Sequence, residues 1–208
     1  MRDRTGQQVG NYYVTRLLEQ GTVIDRYLSY DVTSQRQITL FLLAAPTDEA
    51  GLFRFQRNLP IIKRLVHPHI APLLDTGVQG MTPFVALDHL PTSRQYRRFP
   101  LPISTVIQYV SQLADAFDYA HGQYASPSYI TPEMILVGHQ GEALFAGFGV
   151  RLLEISHHPG GNDTPWDFPV PLCYLAPEQV SGRPIGPFSD QYALAAVVYE
   201  WLCGVPPF

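Results

Sequence analysis

Cysteine is scarce: Cys173 and Cys203 are the only two in 208 residues. Two thiols far apart in sequence are no disulfide framework, so the expected setting is a reducing, cytoplasmic one. Positive charge is scarce as well. Lys and Arg total 14 against 18 Asp and Glu, a net charge of -4, so no basic excess points to nucleic acid or to an anionic membrane. Long apolar runs are missing. The longest lies near Tyr192 to Cys203, is interrupted by Glu200, and is too short for the ~20 apolar residues a bilayer span needs. The polar start Met1-Arg2-Asp3-Arg4-Thr5-Gly6 has no signal core. Internal repeats and low-complexity segments are absent. The chain stops at Pro206-Pro207-Phe208, an apolar and proline-rich turn, which reads as the end of a fragment or of a truncated gene product.

What is present suits a folded domain, since 46% of residues are hydrophobic and 15% charged. The first half alternates apolar and polar positions. Tyr12–Leu18, Arg26–Tyr30 and Gln37–Leu43 read as strands, with turns at Gly21 and Thr33-Ser34-Gln35. Leu52, Phe55, Leu59, Ile62 and Leu65 mark one face of a helix from about Glu49 to Val66. Pro60 falls inside it and is expected to kink or break it. Two more strands are expected near Ala71–Thr76 and Pro83–Leu87, giving five.

After Asp88-His89-Leu90 the texture changes, which suggests one lobe over 1–90 and another over 91–208. Pro91 to Pro102 reads as a loop, and Ser104 to His121 as a helix. Short strands are expected at Met134–Val137 and Ala143–Ala146. Arg151 to Leu172 reads as a long surface loop, and a last helix starts near Ser189-Asp190. Strands followed by helices imply an α+β fold of two packed lobes.

Collinear motifs carry a resemblance. His67-Pro68-His69-Ile70, Asp115 to His121, Ile130-Thr131-Pro132-Glu133-Met134-Ile135-Leu136, Tyr174-Leu175-Ala176-Pro177-Glu178, and Ser189 to Leu194 followed by Gly204 to Phe208 occur in order. Together they resemble a bacterial Ser/Thr protein kinase domain of the eukaryotic type. The resemblance implies a bilobal fold whose N-lobe has five antiparallel strands and one helix, and whose C-lobe is mainly helical. That C-lobe would stop after the family's helix F, leaving no counterpart for its final helices.

The same resemblance implies a dismantled catalytic site. The glycine-rich pattern falls on Glu19, Gly21, Ile24 and Arg26, and only Gly21 remains. Arg26 could meet phosphate or Glu19, but reads first as an exposed strand arginine. The phosphate-binding lysine becomes Phe41, and the glutamate that orients it becomes Asn58. His-Arg-Asp falls on Pro127-Ser128-Tyr129, and a tyrosine with a reference pKa of ~10 is no general base near neutral pH. The next lysine becomes Thr131. The magnesium-binding asparagine and aspartate become Met134 and Gly147. The vestigial nucleotide cleft would comprise Gly21, Thr39, Leu87, Asp88, Leu90 and Leu136. Structural residues would persist at Phe148, Gly149, Glu178 and Asp190, with Asp190 capping the catalytic-loop backbone and Glu178, lacking its family partner, left solvated. A family threonine before Ala-Pro-Glu becomes Pro171, and the arginine that reads loop phosphorylation becomes Ser128, so phosphate on Thr164 would lack its usual reader.

The expectation is therefore a pseudokinase: a regulatory or binding module with a protein partner, no cofactor and no metal. The alternatives are a Ser/Thr kinase with atypical ATP use and a truncated remnant without function. The pair His157-His158 and the sequon Asn162-Asp163-Thr164 read as ordinary loop sequence. The cluster Arg94, Arg97, Arg98 with Tyr96 and Phe99 reads as a solvated loop, or as a docking spot for an acidic partner.

Overall fold

The computed structural model describes residues 3–92, 100–127, 129–157 and 171–208. The chain divides into two compact units. The first holds the residues up to Arg64, then Pro72–His89, and a segment that begins at Gly149. The second holds Leu65–Ala71, Leu90–Phe148 and the C-terminal segment to Phe208.

The first unit is built on an antiparallel sheet of six strands, one more than the sequence pattern suggests. In chain order they are β1 (Gln8–Val9), β2 (Tyr12–Gln20), β3 (Ile24–Asp31), β4 (Gln37–Leu43), β5 (Leu73–Gln79) and β6 (Thr82–Asp88). Their spatial order is β1-β2-β3-β4-β6-β5. The extra strand, β1, is two residues long, too short to show a period. Val9, Tyr12, Val14, Tyr27, Ile38, Leu40, Leu42, Phe84 and Ala86 form the core on one face. Successive strand residues point to opposite faces, so Thr39 and Phe41 project from the other face of β4. Their cross-strand neighbours are Leu28 and Leu87 for Thr39, and Arg26 and Val85 for Phe41.

Helix α1 (Glu49–Lys63) starts at Asp48, whose Oδ1 accepts from the Gly51 N–H at 2.7 Å. It runs through Pro60 unbroken. Pro60 lies in the last turn, so the missing N–H and the ring clash affect little helix beyond them.

The second unit carries α2 (Ile103–Gly122), the hairpin β7 (Ile135–Val137) and β8 (Ala143–Phe145), the short α4 (Pro177–Val180) and α5 (Pro187–Cys203). Helix α2 buries Val106, Tyr109, Leu113, Ala116, Phe117 and Ala120, a spacing of three and four that makes one continuous face. Tyr109 meets Trp201 of α5 edge-on at 5.6 Å, and Trp201 is fully buried. Helix α5 stops at Gly204, which takes φ +82, the left-handed conformation that glycine adopts without Cβ strain. Both cysteines are free thiols. No helix among the described residues is long and apolar enough to cross a membrane.

The largest departure from the sequence pattern is at Arg151. The expected loop begins inside a helix, α3 (Gly147–His157). Leu152, Leu153 and Ser156 are fully buried, and Val150, Arg151 and Glu154 nearly so. The run Val150-Arg151-Leu152-Leu153-Glu154-Ile155 was masked by the Pro, Gly, His and Asp of the longer stretch to Leu172, which has no clear period as a whole. The remainder of that segment, with His158, Asn162, Asp163 and Thr164, lies outside the described residues, as do Arg94, Tyr96, Arg97, Arg98, Phe99 and Ser128.

Candidate functional site

In the first unit, the β2–β3 turn needs Gly21, because a Cβ there would lie 2.2 Å from the Ile24 carbonyl oxygen. The hairpin sets Glu19 opposite Arg26 in register. Arg26 is not exposed, as its strand position suggested, but 9% exposed. Its guanidinium meets the Glu19 carboxylate at 3.2 Å. One strand further on, Phe41 is buried as well. Asn58 turns back on its own helix and donates to the Arg54 carbonyl at 2.8 Å.

Thr39 Oγ1 lies 2.9 Å from His89 Nδ1. Burial first, then the positive charges of Arg26 and Arg16, hold His89 below its ordinary pKa, against a smaller opposing pull from Asp88. Asp88 pairs at 3.3 Å with the exposed Arg36, and Leu87 packs beside Thr39.

Helix α3 docks on this unit through residues 149–157. Gly149 has no room for a Cβ, which would lie 2.8 Å from Leu73 Cδ2 and 3.2 Å from Val85 Cγ1. The last carbonyls of a helix lack partners within it. Here the Thr47 hydroxyl donates to the Ser156 carbonyl at 2.5 Å, and the Arg54 Nε–H to the Ile155 carbonyl at 3.0 Å. A cation at a helix C-terminus is also favoured by the dipole. A Cβ on Gly51 would lie 1.9 Å from Thr47 Oγ1 and 2.1 Å from the Ser156 oxygen. Gly51→Val is therefore expected to lift α3 off its seat. Hydrogen exchange over Val150–Ser156 should then quicken, and rates equal to wild type would refute the docking.

In the second unit, Tyr129 and Thr131 are buried. The Thr131 carbonyl accepts from the Met134 N–H at 3.0 Å, and the Met134 carbonyl accepts from the Ala146 N–H at 2.8 Å. These bonds hold a 3-10 turn, Pro132–Met134, against the β7–β8 hairpin. Leu136 forms an isolated antiparallel bridge with Thr92. Leu90 and Leu136 are both buried.

Gly147 follows directly. A Cβ on it would lie 2.2 Å from Phe145 Cζ. The Phe145 ring is fully buried and locked edge-on to Phe117 at 4.9 Å and to Phe148 at 5.2 Å. The space an acidic side chain would need is taken by an immobile aromatic ring. Met134 offers a thioether, which suits soft metals and not magnesium. Among the described residues no group of three His, Cys, Asp or Glu could hold a metal ion. The residues present do not fit magnesium.

Asp190 is fully buried, and its Oδ2 accepts from Ser126 Oγ at 2.7 Å and lies 2.8 Å from His121 Nε2. Glu178 is not left to solvent. Its Oε1 accepts from Ser189 Oγ at 2.5 Å, a bond that draws its pKa below the ordinary value. Sequence reasoning missed that contact because it joins two helices, α4 and α5, across eleven positions in sequence.

The protein kinase domain profile matches residues 27–208. The chain belongs to the protein kinase family. It is 30% identical over 213 residues to the Serine/threonine-protein kinase PknD of Mycobacterium tuberculosis, covering 99% of this chain and 31% of PknD. It is 29% identical to PknE of the same species, covering 99% of this chain and 37% of that one. The chain thus spans about a third of the length of these curated relatives. The crystal structure of the Mycobacterium tuberculosis PknI kinase domain superposes with a TM-score of 0.72 at 27% identity, covering 100% of this chain and 80% of that one.

Proposed function

We propose that this chain is a kinase-fold binding or regulatory module that performs no phosphoryl transfer. The observation that carries this reading is the Phe145 ring, 2.2 Å from where a Gly147 Cβ would stand. Catalysis of phosphoryl transfer is nearly all positioning and charge stabilisation, and one well-placed cation can be worth ~10³-fold. Here the lysine position is Phe41, the base position Tyr129, and the two magnesium positions Met134 and Gly147. Each replacement removes charge or a hard oxygen ligand. The fold is kept, so its remaining use is as a surface for a protein partner.

The test is a thermal-shift titration with ATP, with and without magnesium. No magnesium-dependent rise in melting temperature is expected. A rise that requires magnesium would sink the proposal. Gly147→Asp is expected to destabilise the second unit without creating metal affinity, since Phe145 must leave its aromatic cluster. A gain of magnesium-dependent stabilisation in that variant would count against the steric argument.

A further inference from the structure

Helix α3 is a short element held by its seat. It has 11 residues, with glycines at 147 and 149. Helices of this length are marginal in water, and each glycine weakens one further. What keeps α3 folded is its contact with the first unit. Leu152 and Leu153 are fully buried, and Gly149 fits closely on Leu73, Val85 and Leu87. Arg54 and Thr47 hold the carbonyls of Ile155 and Ser156.

Into this seat the chain places an ionisable pair. Glu154 is 5% exposed, and Arg151, one turn earlier, 9%. Glu154 Oε2 is closed to water and accepts no hydrogen bond among the described residues. Arg151 Nη1 stands 3.8 Å away. From the elements packed on α3, α1 brings Arg54, which binds the Ile155 carbonyl, and its cap Asp48, which binds the Gly51 N–H. Glu49, Arg57 and Lys63 of α1 are exposed. Strands β5 and β6 bring Leu73, Val85 and Leu87, while their carboxylates Asp75 and Asp88 bind Tyr12 and Arg36. An ionised Glu154 in that place lacks the donors that would offset its lost hydration. On a detached helix the same side chain meets water in either form.

We propose that Glu154 is a proton-operated latch on α3. With its carboxyl neutral, the helix stays docked on the first unit. With the carboxyl ionised, the helix detaches and melts, uncovering Gly51 of α1 and the Leu73, Val85 and Leu87 side chains. Linkage fixes the direction. Burial alone pushes the docked carboxyl up from 4.5 to about 8. Between those values the docked state holds a proton that the detached state releases. Docking therefore weakens as pH rises, by at most about tenfold per unit. Above about pH 8 the loss is complete. The latch goes beyond the question of phosphoryl transfer, since it works whether or not the chain binds ATP.

Hydrogen exchange of the full chain tests it, read by mass spectrometry at pH 6, 7 and 8 and expressed as protection relative to an unstructured peptide at the same pH. In wild type, protection over Val150–Ser156 should fall by up to about tenfold per unit. It should lie below that of α2 at every pH and stay unchanged in dilute urea, the marks of a local opening. In Glu154→Gln it should be level with pH. Should that variant fail to fold, Glu154→Leu, neutral and apolar, carries the same expectation. Level protection in wild type would overturn the proposal, as would a fall that persists in the neutral variants. Equal protection and equal urea dependence of α3 and α2 would overturn it as well, since α3 would then open only with the whole chain. All of these outcomes leave the proposed function standing, because the ATP titration tests that separately.

Discussion

Replacing Glu154 with glutamine is expected to flatten the pH dependence of stability and to stabilise the protein above neutral pH. Glu154 is buried on α3, and burial pushes its carboxyl up from the ordinary 4.5 to about 8. Arg151 stands 3.8 Å from its Oε2, within ion-pair reach but too far to hydrogen-bond, and Oε2 has no hydrogen-bond partner among the described residues. Desolvation therefore outweighs the attraction. The folded chain holds this proton until about pH 8, whereas the unfolded chain releases it near 4.5. Between those values the folded state binds more protons, so wild-type stability falls as pH rises, by about 1.4 kcal/mol per unit at most. Above about pH 8 the loss is complete and the profile levels. Glutamine removes this term and adds the burial of an amide, ~1–3 kcal/mol. The net gain at pH 7.5 is about 1–3 kcal/mol. Urea denaturation at pH 5, 6.5 and 8 reads it directly. A wild-type stability that is level across that range would refute the assignment.

Asp190→Ala is expected to lower stability by about 3–5 kcal/mol. The carboxylate is fully buried and gathers the Ser126 hydroxyl and His121 from the end of α2 and the chain beyond it. Truncation leaves those groups without their acceptor and opens a hole at the start of α5. Asp190→Asn keeps an acceptor oxygen and should lose less than half as much. Denaturant titration of both variants checks the order. Equal losses would show that the carboxylate's charge, and neither its volume nor a neutral acceptor oxygen, dominates at Asp190.

The sheet was legible because its main strands are short runs of apolar, aromatic and β-branched residues bounded by turn signals. Gln37–Leu43 is a strand from its first residue to its last, as its pattern suggests. The helix α2 was legible from its apolar face. β1 was not, because two residues carry no period. Helix α3 was hidden because the stretch from Arg151 to Leu172, with its Pro, Gly, His and Asp, shows no clear period as a whole. The burial of Arg26 has no local signal, yet a turn at Gly21 already sets Glu19 across from it, so the pairing could have been derived from register alone. What sequence could not supply is the Phe145 ring beside Gly147. Gly147 reads as a lost ligand, while the ring explains why a ligand cannot simply be put back.

The central claim is tested most directly by incubating the purified chain with radiolabelled ATP, with magnesium and with manganese, and counting label on the protein and on added Ser/Thr acceptor protein. The expected result is no incorporation above a blank without protein. Label that accumulates with time, requires the metal and disappears on Tyr129→Phe or Met134→Leu would contradict it.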